Sequence, residues 1–374
     1  MKVRAALLRE VPGKWEAHDV ELDAPRDGEV LVKIAATGMC HSDDHFATGD
    51  ITVGHLPLCG GHEASGVVQE VGPGVRTLKP GDHIVTSFVP SCGRCRWCAG
   101  GQQNLCDNGA LMLEGHQLDG SYRMHLAGEP VAQAGLVSGF AEFSVMPELS
   151  CVRVEPDIPL ELASLLGCAV PTGWGSAVNA ARVGPGDVVL VMGAGGIGVA
   201  AIQGAAHAGA ARVVVVEPVT SKHQLCETFG ATDVFSSVEE ATDLVRGLTN
   251  GQGADSAIIC VGVLAPTHVR DAVAAIRKAG TVVVTAAAPE QVASVDVTPL
   301  ELTMYQKRLQ GSIYGMMSPA KDVPRLVDMW RSGTLKLDEM VSNTYTLDEI
   351  NQGYADMHAG LNIRGLVVPG VAGG

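Results

Sequence analysis

Val188-Val189-Leu190-Val191-Met192 runs directly into Gly193-Ala194-Gly195-Gly196-Ile197-Gly198 and then into an Ala-rich stretch that continues to Ala208. Five consecutive apolar residues read as a strand buried on both faces, and the Ala-rich run as a helix, so the glycines fall at a strand-to-helix turn. In that setting G-x-G-x-x-G has a physical meaning. The glycines permit a tight turn and close backbone approach. The first helical turn offers N–H groups and the positive end of its dipole to a pyrophosphate. The next apolar run, Val213–Glu217, ends in a carboxylate nineteen residues past Gly198. A carboxylate there accepts from a ribose 2′-hydroxyl and repels a 2′-phosphate, which favours NAD over NADP.

The alternation continues outward, with a helix expected over Ser221–Phe229, a strand over Asp255–Val261, a helix over Val269–Lys278 and a strand over Thr281–Thr285. This is a βαβ pattern and predicts a doubly wound parallel sheet of about six strands, an α/β fold. Residues 1–150 differ. Short β-like runs such as Glu29–Ala36, Ser65–Val71 and His83–Phe88 are punctuated by Gly, Pro and Asp, the mark of an irregular all-β region. After residue 310 two amphipathic helices, Asp322–Arg331 and Asp348–His358, precede a short strand near Arg364–Val368. No fixed-period repeat interrupts this order.

The 374 residues carry 26 Lys and Arg against 41 Asp and Glu, a net charge of −15 that repels a nucleic-acid backbone and an anionic bilayer. Neither partner is expected. With 46% hydrophobic and 18% charged residues the chain can bury a large core and does not read as disordered. The opening MKVRAALLREVPGKWE lacks the apolar segment of a secretory signal, and no apolar run approaches the roughly 18 residues of a membrane helix. The expected location is cytoplasmic. In a reducing compartment the ten cysteines point to metal ligation before disulfides.

Four of them, Cys92, Cys95, Cys98 and Cys106, lie within SCGRCRWCAGGQQNLC. Four thiolates in one short Gly-containing lobe suit a tetrahedral zinc with every position filled by protein, a structural site; spacing alone leaves an iron–sulfur cluster open. A second cluster, Gly38-Met39-Cys40-His41-Ser42-Asp43-Asp44-His45 with Gly60-Gly61-His62-Glu63, suits a catalytic zinc. Such a site needs three protein ligands and one open position. Cys40 and His62 supply two, and the third is open among Cys59, Cys151, Cys168, Cys226 and Cys260.

Taken together, these three features make the chain resemble the zinc-dependent medium-chain alcohol dehydrogenases along nearly its whole length. Gly61-His62-Glu63-x2-Gly66-x5-Gly72-x2-Val75 is that family's zinc signature, and the four-cysteine lobe has its spacing. The resemblance implies a GroES-like irregular β catalytic domain over residues 1–170, a Rossmann cofactor domain over 171–309 and a return to the catalytic domain over 310–374. It implies two zinc ions per chain, one structural and one catalytic, with Cys40, His62 and Cys168 holding the latter. Glu63 is then a transient ligand or a carboxylate beside the metal, and Asp43 holds the second nitrogen of His62. For NAD it implies contacts from Thr172, Gly193, Gly195, Gly196, Ile197, Gly198 and Glu217, with Lys222 on the ribose and Arg364 on the pyrophosphate. His41 stands where many relatives carry a pyrophosphate-facing arginine. Phe88 becomes a wall of the substrate channel. Ser42 takes the alcohol proton and passes it through the cofactor ribose to His45 at the surface. Homo-oligomers form, on the same resemblance, by edge pairing of the cofactor-domain sheets.

The wording GRCRWCAGGQQNLCDNGA, followed by DGSYRMH, resembles the actinobacterial nicotinoprotein alcohol dehydrogenases, assayed with N,N-dimethyl-nitrosoaniline. That implies oxidation of primary or aromatic alcohols to aldehydes with NAD that stays bound and is recycled by an external electron acceptor. The Asp107–Phe140 insertion is the candidate for holding the cofactor by folding over the cleft, against a plain surface loop or subunit contact. Three alternatives stand beside this reading. A thiol-dependent formaldehyde dehydrogenase would want cationic groups at the pocket mouth, for which Arg123 is the candidate. An ordinary alcohol dehydrogenase would release its NAD. A non-catalytic zinc- and NAD-binding protein would be expected to lose one of Cys40, His62, Cys168, Ser42 or His45, and all are present.

Overall fold

The N-terminal strands Lys2–Leu8 and Trp15–Leu22 pair antiparallel, with Val3 opposite Val20 and Leu8 opposite Trp15, and Ala5, Ala6, Leu7 and Leu8 are buried in succession, so both faces of the first strand are covered there. The structure, a computed structural model, describes residues 1–370, and the chain divides into two units. One comprises Met1–Cys168, Ser318–Gly333 and Leu337–Gly374; the other comprises Ala169–Met317 and Thr334–Lys336.

In the first unit the opening strands join Met124–Leu126, Glu129–Gln133 and Leu58–Cys59 in a closed barrel. The Asp107–Phe140 insertion is therefore no separate flap: two of its segments are barrel strands, and its Phe140 packs edge-on against Trp15 with ring centroids 5.4 Å apart. Such an aromatic pair adds about 0.5–1.5 kcal/mol beyond the area it buries.

The second sheet of this unit has the strand order Cys151–Val154, His83–Thr86, Glu63–Val71, Glu29–Gly38, Arg364–Val367, Val341–Tyr345, and Phe143–Pro147 also pairs with Glu29–Gly38. The C-terminal strand completes a sheet begun by the N-terminal half. Its register puts Gly38 opposite Glu63 on one neighbour and Leu366 on the other, so three distant stretches of sequence meet at one point.

The second unit holds a six-stranded, wholly parallel sheet in the order Asp233–Phe235, Arg212–Val216, Val188–Met192, Ala254–Ile259, Ile276–Val284, Arg308–Gly311. Numbered along the chain this is 3-2-1-4-5-6, the doubly wound order whose reversal lies beside the first strand. Val188–Met192 is buried at every position, as expected of a strand covered by helices on both faces. The helix expected over Val269–Lys278 instead spans Pro266–Ala275, and Ile276 already pairs with Ala254 as strand. Arg277 is drawn out of helix by its Nε on Asp255 Oδ1 at 2.6 Å, a partner far away in sequence. The last strand, Arg308–Gly311, is exposed along its length. Among the described residues no helix is long and apolar enough to cross a membrane.

Candidate active site

Cys40 follows the strand Glu29–Gly38 in extended backbone and caps the helix His41–Thr48; His62 immediately precedes the strand Glu63–Val71. Because those strands are paired at Gly38 and Glu63, the two side chains are brought to the same end of the sheet. Cys168 arrives after a short helical turn, Leu165–Gly167. One ligand atom from each of Cys40, His62 and Cys168 lies within 4.8 Å of the others, and all three residues are buried. A tetrahedral zinc spaces its thiolate and imidazole ligands roughly 3.5–3.8 Å apart, so this set of two sulfurs and one nitrogen fits such an ion and leaves a fourth position.

The surroundings favour ligation. His62 Nδ1 stands 3.0 Å from Asp43 Oδ2, leaving Nε2 for a metal, and Asp43 Oδ1 accepts the Gly61 N–H at 2.8 Å. A hydrogen bond from Cys168, with the neighbouring His62 imidazole and the positive charge of Arg364, holds the Cys40 thiol well below its ordinary value and so favours thiolate. Beneath the cluster Arg364 grips Glu63 in a two-pronged pair, Nε to Oε1 at 2.8 Å and Nη2 to Oε2, with both groups buried. Gly38 makes room for that carboxylate: a Cβ there would lie 1.9 Å from Glu63 Oε1.

The Sγ atoms of Cys92, Cys95, Cys98 and Cys106 likewise lie within 4.8 Å of one another. Backbone N–H groups of Cys95, Cys98 and Cys92 donate to the sulfurs of Cys92, Cys95 and Cys106, at 3.3, 3.5 and 3.4 Å. Such donors stabilise thiolates, and hydrogen bonds from the Cys98 and Asp107 backbone hold Cys95 down to about 6. The four sulfurs fit a closed tetrahedral site with no position left for substrate.

In the other unit the glycine turn ends the central strand and the helix Gly196–His207 begins at it. A Cβ on Gly198 would lie 2.0 Å from the Gly193 carbonyl oxygen, so only glycine permits the turn to close on itself. Glu217 is buried, its Oε2 accepting from Ala194 N–H at 2.8 Å and its Oε1 from Val219 N–H at 2.9 Å. The carboxylate thus braces the loop and keeps lone pairs for a ribose. Lys222 closes the turn Thr220–Lys222, and Thr172 is buried in the helix Ala169–Gly175, which packs on Gly196–His207.

Residues 26–156 match the alcohol dehydrogenase GroES-like domain and residues 196–332 the zinc-binding dehydrogenase domain. The chain belongs to the zinc-dependent alcohol dehydrogenases. It is 45% identical to the NDMA-dependent alcohol dehydrogenase of Amycolatopsis methanolica over 98% of this chain and 99% of that one. With the S-(hydroxymethyl)glutathione dehydrogenase of Paracoccus denitrificans it shares 34% identity over 98% of this chain and 100% of the other. The benzyl alcohol dehydrogenase of Acinetobacter calcoaceticus superposes with a TM-score of 0.91 at 30% identity, covering 99% of each chain.

This alcohol dehydrogenase places some expected residues differently from the sequence reading. His45, expected at the surface, is 2% exposed; its Nδ1 lies 2.9 Å from Asp50 Oδ2 and its Nε2 has no partner among the described residues. Arg364, expected on a pyrophosphate, is seated on Glu63. Arg123, the candidate cation for a thiol adduct, is fully buried and bound to Glu29 and Asp119. Ser42 Oγ sits 3.6 Å from Cys40 Sγ, and the Phe88 ring stands edge-on to His62 at 5.4 Å. His41 is half-buried, with burial lowering its basicity, 6.4 Å ring to ring from His358. His358 in turn holds Asp44 at 2.7 Å. Sequence reading missed Asp50 and His358. Asp50 could have been found as a carboxylate just beyond the helix-ending Gly49; His358 carried no signal, since its partner is 314 residues away. Of the remaining cysteines, Cys59, Cys226 and Cys260 are buried with thiols pushed up to about 12 by burial, and Cys151 is half-buried.

Proposed function

We propose that this alcohol dehydrogenase is a nicotinoprotein. It oxidises alcohols to aldehydes with an NAD that remains bound and is reoxidised in place by an external acceptor. The observation that carries the reading is the 45% identity, end to end, with an NDMA-dependent enzyme. Cys40, His62 and Cys168 hold the catalytic zinc, and Cys92, Cys95, Cys98 and Cys106 the structural one. When bound, zinc supplies Lewis acidity toward the alcohol hydroxyl and NAD accepts the hydride. The chain's own groups do the rest. Asp43 orients His62, the Glu63–Arg364 pair supports the cluster from below, and Phe88 walls the substrate. Ser42 receives the hydroxyl proton, and His45 takes it at the end of the relay. The Gly193–Gly198 turn, Glu217, Lys222 and Thr172 form the dinucleotide site of the second unit.

The burial of Arg123 favours alcohols over anionic thiol adducts, because its charge is neutralised by Glu29 and Asp119 and meets no substrate. The enzyme works in the cytoplasm as a homo-oligomer, joined along the exposed end strand Arg308–Gly311. Benzyl alcohol added to extensively desalted protein should raise reduced-nicotinamide absorbance without added NAD, and N,N-dimethyl-nitrosoaniline should then support turnover. If nothing happens until free NAD is supplied, the nicotinoprotein reading is wrong and a dissociating dehydrogenase stands in its place.

A further inference from the structure

The helix His41–Thr48 ends at Gly49, whose left-handed backbone, φ 84°, turns the chain so that Asp50 returns beside the last turn. His45 Nδ1 and Asp50 Oδ2 meet at 2.9 Å, one residue 2% exposed and the other with 27% of its side chain in solvent. A carboxylate can only accept. Asp50 keeps its charge, because the hydrogen bond from His45, aided by one from Thr48, holds its carboxyl below the ordinary value. Nδ1 must therefore carry the proton, which in a neutral imidazole leaves the lone pair on Nε2. That atom is buried and has no partner among the described residues, although buried acceptors are almost always satisfied. A lone pair left dry in this way is available to a donor that is not part of the chain.

We propose that Asp50 is the positioning residue of the proton relay. It fixes His45 as the Nδ1–H tautomer, so that Nε2 faces the incoming proton with its lone pair, and it stabilises the imidazolium that results. The inference rests on the reading of His45 as the relay's acceptor. In the step the donor hydroxyl's O–H bond breaks, its proton bonds to Nε2, and the ring becomes cationic beside the anionic Asp50. Release of that proton to water restores the neutral ring. The logic is that of a carboxylate behind a catalytic histidine, which orients the ring and need not itself be protonated. It also accounts for a relay histidine that is buried, since its hydrogen-bond partner, the anionic Asp50, is the less buried member of the pair.

Nitrogen-15 spectra of the histidine-labelled full-length enzyme test the tautomer directly. His45 should show a protonated, pyrrole-type Nδ1 and an unprotonated Nε2; the reverse assignment overturns the proposal. In steady-state kinetics with benzyl alcohol and N,N-dimethyl-nitrosoaniline, Asp50→Ala should lower kcat by about 10–100-fold and leave KM within about twofold. Its solvent deuterium isotope effect on kcat should rise, which a purely structural role would not cause. Asp50→Glu should recover most of the rate. Asp50→Asn preserves the shape and an acceptor but removes the charge, so it should lose about tenfold, and it decides the matter if Asp50→Ala does not fold. His45→Gln separates the two readings. If it is impaired while Asp50→Asn turns over like wild type, the Asp50 proposal falls and the relay stands. If it turns over like wild type, the relay reading falls and takes the proposal with it.

Discussion

Replacing Arg123 by methionine should be among the most damaging single changes to this enzyme's stability while leaving its chemistry intact. The guanidinium is fully buried and donates from Nε to Glu29 Oε2 at 2.7 Å and from Nη2 to Glu29 Oε1 at 2.6 Å. Nη2 also reaches Asp119 Oδ2 at 2.8 Å, and Nη1 donates to Ser121 Oγ at 2.6 Å. Methionine matches much of the volume but, among the described residues, leaves the buried Glu29 carboxylate with only the Arg26 N–H at 2.9 Å. Stripping one partner from a buried pair costs about 3–5 kcal/mol, and at about 2–4 °C per kcal/mol the melting temperature should fall by roughly 6–20 °C. Glu29→Gln should cost less by itself. The double variant should cost less than the two singles together, with a coupling of about 2–3 kcal/mol, because no charge is then stranded. Calorimetry on the four proteins at equal zinc content measures the cycle. The kcat with a primary alcohol at 25 °C should be unchanged in all of them. An Arg123→Met protein that melts within about 2 °C of wild type, or a coupling below about 0.5 kcal/mol, would refute the reasoning.

Two further outcomes follow from the clusters and the sheet edge. Elemental analysis should find two zinc ions per chain, and Cys168→Ala should retain one and lose turnover by more than about a hundredfold; full activity with both ions present would sink the ligand assignment. Leu309→Lys, on the exposed end strand, sets a charge against strand pairing and should shift the particle mass measured by light scattering to a smaller species, whereas an unchanged mass would remove this edge from the interface.

Much of the dinucleotide unit was legible in the sequence because its determinants are local. Val188–Met192 is buried throughout because it is a central parallel strand, the glycines sit at the turn where backbone closeness demands them, and Glu217 directly follows the next strand, Arg212–Val216. The four-cysteine lobe was legible for the same reason, its ligands spanning fifteen residues. The open metal cluster was only half legible. Cys40 and His62 stood out in dense motifs, but bare spacing could not choose Cys168 over Cys59, Cys151, Cys226 or Cys260 without a family resemblance, since the choice depends on how a distant turn packs.

Local chemistry alone therefore determined what each segment is: strand, Gly-rich turn, helix, thiolate lobe, metal-binding pair. Tertiary structure decided which segments face one another, and that changed the meaning of several charged groups. Arg364 meets Glu63 because the C-terminal strand pairs beside Glu29–Gly38. Arg123 meets Glu29 because the insertion is built into the barrel, and His45 is buried against Asp50 because Gly49 turns the chain back. The physical reason is common to the two arginines: a buried charge must find a partner, and the partner is supplied by sheet register over long stretches of chain, which no local pattern encodes, whereas His45 finds Asp50 through a local turn.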